Sequence, residues 1–66
     1  MKEKRFITFD KKPNGVMTIN ADKVIRFEHI EGGGVAIYVQ DGIGPIIVKE
    51  DFELVYQMIT GKVYLK

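Results

Sequence analysis

The 66-residue sequence contains no cysteine, no serine and no tryptophan, and only one histidine, His29. Without cysteine, neither a disulfide framework nor a zinc site built on thiolates can form. Without serine or cysteine, the nucleophile–histidine pairs of the common hydrolases are also excluded. These absences predict a protein that is not an enzyme and that holds no metal or cofactor.

The sequence also lacks a long apolar run and a strong net charge. Its longest uncharged apolar run, residues 32–40, is far shorter than the ~20 residues of a membrane-spanning helix. The charged first residues lead into only four β-prone residues, 6–9, which do not make the apolar core of a signal peptide. Ten Lys and Arg against nine Asp and Glu give a formal charge of +1. We therefore expect one cytoplasmic domain, residues 1–66, that does not associate with membranes.

Alternating hydrophobicity and turn residues predict five short strands followed by one helix and a short extended tail. The expected strands are residues 6–9, 16–20, 24–30, 35–40 and 43–48, and the expected helix is 50–60. The predicted class is α+β, an antiparallel meander of four or five strands with one C-terminal helix. The sequence leaves open whether the strands stay in an open sheet or curl into a small barrel.

Local signals set the boundaries of these elements. Asn14-Gly15 and Asp41-Gly42 are typical of hairpin turns, and residues 20–23 predict a tight corner or one 3₁₀ turn. Gly61 stands where a glycine ends a helix. Apolar residues at i, i+3, i+4 and i+7 predict one buried helix face: Phe52, Val55, Tyr56 and Ile59.

The inward positions of the strands predict the core. Arg26 and Glu28 place one face of the third strand in water, so Ile25, Phe27 and His29 are expected to point inward. At least one of the two N-terminal phenylalanines is expected in the core. The full expected set of core partners for the helix is Ile7, Met17, Ile19, Ile25, Phe27, Ile37 and Ile47.

Three groups of residues could form a binding or catalytic site, but their spacing does not predict one. A glycine run at 32–34 precedes a strand, whereas phosphate loops precede a helix, so a hairpin tip is expected. Glu28 and His29 lie on opposite faces of a strand and cannot share a metal. The acidic residues near position 51 complement the positive end of a helix dipole.

Several short motifs occur in an order that resembles a known family. They are Asn14-Gly15, residues 19–22, Ile25 with Glu28, Asp41-Gly42, and residues 48–50 before a short helix. Over roughly residues 8–60 the chain resembles the FlbD-like family of small proteins encoded among bacterial flagellar and swarming-motility genes. The resemblance implies a small bacterial protein associated with motility. A fainter likeness is to half of a LytTR-type DNA-binding domain, without the basic surface of such a domain.

Surplus apolar side chains predict an interaction protein. One short helix cannot cover all of them, and the tail after Gly61 is apolar where a free end is usually polar. We expect a regulatory or accessory protein that binds protein, as a homodimer or with another partner. The tail would add a strand to a neighbouring chain or to an edge of its own sheet. The expected contact residues are Tyr38, Val63, Tyr64 and Leu65.

The alternative function is nucleic-acid binding through the basic N-terminal segment. Aromatic residues interleaved with basic ones can stack bases while the charges hold the phosphates. The residues that would carry this function are Lys4, Arg5, Lys11 and Lys12, with Phe6 and Phe9 beside them.

Overall fold

The structure, a computed structural model, describes residues 5–65 of the chain. It contains five strands, one 3₁₀ turn at Ala21–Lys23 and one helix, α1, at Phe52–Thr60. The strands are β1 (Phe6–Asp10), β2 (Val16–Asn20), β3 (Val24–His29), β4 (Val35–Val39) and β5 (Ile46–Val48). The α+β class, with five antiparallel strands and a C-terminal helix, is confirmed, as is the 3₁₀ turn.

The strands form two sheets. β1 and β2 make an antiparallel pair, and β3, β4 and β5 make an antiparallel sheet in that order. One bridge, between Lys11 and Val48, joins them. The Lys12 amide donates to the Ile47 carbonyl at 2.9 Å, and the Lys49 amide donates at 2.8 Å to the carbonyl of Asp10 in β1. We call this junction the seam. The expectation of a single meander is therefore corrected to two small sheets, and the described strands do not close into a barrel.

Two elements begin later than the sequence suggests. β5 starts at Ile46 and not at residue 43, because Pro45 has no amide hydrogen to donate to a ladder. The helix starts at Phe52 and not at residue 50. Glu50 instead accepts hydrogen bonds from the Asp10 amide at 3.2 and 2.9 Å, and Asp51 has extended backbone at φ −68° and ψ 154°.

The core lies between the inner faces of the two sheets and the helix. β4 is its centre, since its first three residues are all buried. Ile7, Met17, Ile19 and Phe27 pack against this core, as expected. The buried cluster itself comprises Phe9, Val35, Ile37, Val48, Val55 and Ile59. Phe9, 1% exposed, is thus the core phenylalanine of the N-terminal pair, while Phe6 is 61% exposed.

A bulge in β3 overturns part of the predicted core. The pairing with β4 shifts register between Val24 and Arg26, so Ile25 is the extra residue and is 67% exposed. An extra residue reverses the alternation on one side of the bulge. Val24 therefore packs against the core, although the alternation had placed it in water, and Phe27 keeps its inward position.

Two further inward assignments are corrected. Ile47 pairs with Ala36, which places both on the sheet face away from the helix, and the inner positions of β5 are Ile46 and Val48. His29 is exposed and not partly buried, because it is the last residue of β3 and stands at the edge of a cleft.

Truncation of Ile25, at the bulge, and of Phe27, in the core, should lower the free energy of unfolding by different amounts. We expect Phe27→Ala to lower the free energy of unfolding by about 3 kcal/mol, because its ring contacts the core and two other rings. Ile25→Ala should lower it by less than about 1 kcal/mol, since the side chain is mostly in water. Urea denaturation of both variants checks this, and equal losses would contradict the bulge.

Candidate binding cleft and C-terminal segment

Four aromatic rings from β3, α1 and the C-terminal residues pack together. Phe52, at the start of the helix, lies with its ring centroid 5.5 Å from that of Phe27 and 5.2 Å from that of Tyr64. Tyr56 lies 6.1 Å from Phe27 and 5.1 Å from Tyr64, both in edge-on geometry. Such edge-on and tilted pairs each stabilise by about 0.5–1.5 kcal/mol beyond their buried area. This aromatic cluster attaches the end of the chain to the folded body.

The residues after the helix are directed by its C-terminal cap. Gly61 has φ 78° and ψ 8°, and its amide donates to the Gln57 carbonyl at 2.8 Å. The Thr60 hydroxyl donates to the Tyr56 carbonyl at 2.7 Å and accepts from the Lys62 amide at 3.1 Å. These bonds turn the chain back along the helix, which brings Tyr64 onto the rings of Phe52 and Tyr56.

Residues 63–65, which we call the C-terminal segment, alternate between contact and exposure. Tyr64 is half-buried in the aromatic cluster, whereas Val63 is 66% exposed and Leu65 is 85% exposed. No residue of this segment pairs with a strand among the described residues, so the tail does not extend its own sheet. It presents two large apolar side chains to solvent on either side of an anchored tyrosine.

A cleft of about 670 Å³ opens between β3, the glycine turn at 32–34, the start of α1 and the C-terminal segment. Its volume falls within the range of small-ligand sites. Its aromatic lining is contributed by three elements that are far apart in sequence. The lining residues are Phe27, Glu28, His29, Gly33, Gly34, Asp51, Phe52, Glu53 and Tyr64.

Three acidic residues, Glu28, Asp51 and Glu53, are among the lining residues, and the described lining contains no lysine or arginine. Asp51 is the N-cap residue of α1 but its side chain makes no capping hydrogen bond. Glu28 pairs with Ala36, which lies on the sheet face away from the helix, so the Glu28 carboxylate is not on the aromatic face of the cleft.

Two residues of the glycine turn, Gly33 and Gly34, line the cleft. All three of its glycines have positive φ, and Gly34 is the tightest: a Cβ atom there would lie 2.8 Å from the Val48 carbonyl oxygen. The Lys12 ammonium donates to the Gly33 carbonyl at 3.1 Å. The glycine run is thus a turn packed against β5, as well as the hairpin tip that the sequence predicts.

The structure separates Tyr38 from the other expected contact residues. Tyr38 pairs with Arg26 across β3 and β4, on the sheet face away from the helix, and the Arg26 guanidinium lies 4.1 Å from the centre of its ring. Tyr64 lies on the helix side. The four residues expected to bind a partner therefore do not form one surface, and only the three at the C-terminus stay together.

The basic residues expected to contact nucleic acid are also dispersed. Arg5 donates to the Met58 carbonyl at 3.1 Å, near the end of α1. Lys11 lies beyond the other end of β1, about 20 Å away at ~3.3 Å per residue, and Lys12 is bonded at the glycine turn. Lys4 lies outside the described residues. The three described residues do not converge on one patch.

Two features are absent from residues 5–65, the part of the chain that the structure describes. No group of three or more histidine, aspartate or glutamate side chains is placed to hold a metal ion. No helix in this part of the chain is long and apolar enough to cross a membrane.

The cleft was not foreseen from the sequence. The helix face that includes Phe52 and Tyr56 was readable from its spacing, but nothing local shows that Tyr64 folds back onto it. The signal that could have suggested this is the glycine at position 61, which reverses the chain just before an aromatic residue.

Comparison with known proteins adds no further constraint. No protein-family model, curated protein or solved structure matches this chain. The resemblance to the FlbD-like family therefore stays a prediction from the sequence motifs.

Proposed function

We propose that this protein is a small non-enzymatic regulatory or accessory protein that acts by binding protein, and that its first partner is a second copy of itself. The observation that supports this most is the C-terminal segment, which holds Val63 and Leu65 in water by anchoring Tyr64 between them. An association with bacterial motility and a cytoplasmic location are parts of the proposal that depend on the sequence alone.

The pattern of exposure in the C-terminal segment suits strand addition. A strand alternates its side chains between two faces. Here one face, Tyr64, is already covered by the chain's own rings, and the other face is apolar and exposed. Pairing with a strand edge of a second copy would satisfy the backbone of the segment and cover Val63 and Leu65. Exchange between two copies is closed, so it limits the assembly to a dimer.

Nucleic-acid binding is the less favoured function. A protein that holds several phosphates needs basic side chains that reach one strand together. Arg5 and Lys12 instead donate to backbone carbonyls of the protein itself, at sites that are far apart. This alternative predicts binding to DNA or RNA that falls steeply with salt and weakens when Lys11 and Lys12 are replaced.

Charge placed on the C-terminal segment should dissociate the dimer. We expect the wild-type chain to have twice the 7.5 kDa mass of one chain in light scattering. Leu65→Asp should give the mass of a single chain at micromolar concentration, because an aspartate cannot be buried in an apolar interface without a partner. Its circular dichroism should be unchanged, since Leu65 is exposed in the single chain.

A matched control is available in the loop between β4 and β5. Ile43 is fully exposed and lies outside the segment, so Ile43→Asp should keep the dimer mass. A monomeric wild-type protein, or a dimer that survives Leu65→Asp, would contradict the proposal.

A further inference from the structure

We propose that the C-terminal segment of one copy adds as a strand to the free edge of β3 in a second copy, so that Val63 and Leu65 of the partner subunit fill the cleft. This inference rests on the proposed function, because it names the strand edge at which the chain associates with itself. It makes the cleft a site that is incomplete in a single copy.

β3 is the free edge of the three-stranded sheet. The strand order is β3-β4-β5, and the outer side of β5 is occupied at the seam, where the Lys12 amide donates to the Ile47 carbonyl at 2.9 Å. Within residues 5–65, no backbone hydrogen bond or bridge joins the outer side of β3 to another element. A strand edge with unpaired amides and carbonyls is a template for a further strand.

The hydrogen-bonding pattern of the sheet shows which backbone groups face this edge. The Ile30 amide donates to the Gly34 carbonyl at 3.1 Å, across the turn between β3 and β4. Hydrogen-bonded and non-hydrogen-bonded positions alternate along an antiparallel pair. Glu28 therefore bonds to β4, whereas the amides and carbonyls of Phe27 and His29 point to the free edge. Two alternate positions are thus available for a short added strand.

The C-terminal segment matches these two positions. An added antiparallel strand forms the most bonds when its own alternate residues stand opposite Phe27 and His29, since each such pair exchanges two hydrogen bonds. Residues that stand opposite one another have side chains on the same face of a sheet. Phe27 and His29 line the cleft, so Leu65 opposite Phe27 and Val63 opposite His29 would enter it. Tyr64, on the other face, keeps its contacts with the rings of its own chain.

The outer edge of β2 is a second possible acceptor, and its geometry suits the segment less well. The Lys11 amide donates to the Gly15 carbonyl, so alternation directs the backbone groups of Val16 and Thr18 away from β1. The side chains of these two residues lie on the face opposite Met17, which packs against the core. A strand bonded to them would leave its own apolar side chains in water.

A second copy is the occupant because one chain carries both halves of the contact side by side. Tyr64 lines the cleft that β3 borders, so the donor segment and the acceptor edge lie close together. The segment does not pair with β3 of its own chain, and its neighbours Val63 and Leu65 are 66% and 85% exposed there. Two copies related by a two-fold axis can each donate and accept a strand, which closes the assembly.

A proline at position 29 tests the edge directly. The His29 amide points to the free edge, so His29→Pro removes a bond to the partner and none to β4. We expect the dissociation constant of the dimer, from light scattering over a dilution series, to rise at least about tenfold, because a two-fold interface loses two equivalent bonds. Thr18→Pro, at an outward position of β2, is the matched control and should keep the wild-type value. Equal effects of the two prolines would overturn the inference.

Cross-linking gives a second test, which decides the matter if a proline variant does not fold. The chain has no cysteine, so one introduced into each of two variants gives one defined disulfide. Opposite residues of a hydrogen-bonded antiparallel pair have Cα atoms about 5.5 Å apart, within the range of disulfides. In a glutathione redox buffer, an equimolar mixture of His29→Cys and Val63→Cys chains should form the mixed disulfide, identified by mass spectrometry. A mixture of Thr18→Cys and Val63→Cys chains should not, and the reverse result would overturn the inference.

These results separate the β3 edge from the dimer itself. If Leu65→Asp dissociates the dimer while the position-29 variants behave as their Thr18 controls do, the dimer stands and its assignment to β3 fails. If the wild-type chain has the mass of one chain, the proposed function fails, and the inference fails with it.

Discussion

Phe9→Ala should lower the free energy of unfolding by about 3–5 kcal/mol, the usual loss for a buried phenylalanine. The Phe9 side chain is 1% exposed and belongs to the cluster that joins both sheets to the helix. A domain of this size has a total stability of roughly 3–10 kcal/mol. The substitution therefore removes a large share of the total stability. We expect a substantial fraction of the molecules to be unfolded at 25 °C.

Phe6→Ala is the matched control, since Phe6 lies in the same strand and is 61% exposed. It should cost less than about 1 kcal/mol. Phe9→Leu keeps most of the buried volume and should cost about 1–2 kcal/mol, which gives a measurable transition if the alanine variant does not fold. Urea denaturation followed by circular dichroism measures all three. A Phe9→Ala midpoint close to that of Phe6→Ala would contradict the core described above.

Gly34→Ala should be the most destabilising of the glycine substitutions, with a loss of about 2–4 kcal/mol. Two effects add. The residue has φ +92°, where an alanine is strained by about 1–2 kcal/mol. Its Cβ would also lie 2.8 Å from the Val48 carbonyl oxygen and 3.1 Å from the Lys12 ammonium nitrogen. The ammonium can move, but the carbonyl belongs to β5 at the seam, so relief of the contact displaces the strand.

Comparison of Gly34→Ala with Gly32→Ala separates the backbone strain from the steric contact with β5. Gly32 has a similar φ of +97°, but no atom lies within 4 Å of the position of its Cβ. It should cost only the backbone strain, about 1–2 kcal/mol, less a few tenths gained from a stiffer unfolded chain. Thermal and urea denaturation of the two variants give the difference directly. Equal losses in the free energy of unfolding would show that the short distance between Gly34 and β5 does not affect stability.

The sequence predicts the elements of this fold well because its signals are local. The 3₁₀ turn at Ala21–Lys23 follows from Asn20, whose side-chain oxygen accepts the Asp22 amide at 3.0 Å. The helix face follows from its spacing, and Gly61 ends the helix as expected. These hydrogen bonds join residues two to four positions apart, so the local sequence is enough to predict them.

The errors occur where a distant residue decides the outcome. A bulge depends on how β3 meets β4, and alternation alone therefore placed Ile25 inside and Val24 outside. The helix begins at Phe52 because Glu50 is engaged by the amide of Asp10. The cleft depends on the return of Tyr64 across nearly a full helix length. Apart from Gly61, which reverses the chain before Tyr64, none of these contacts has a signal in the nearby sequence.

The seam has a consequence for how the chain reaches its folded state. The hairpin of β1 and β2 joins residues such as Thr8 and Thr18, which are ten positions apart, whereas Asp10 and Glu50 are forty apart. Closing a loop costs about 0.6 kcal/mol more for each doubling of its length, so the seam carries about 1.2 kcal/mol more closure entropy than the hairpin. Short loops also close sooner. We therefore expect the hairpins of β1–β2 and β3–β4 to form first as local units and to dock later through the seam and Phe9.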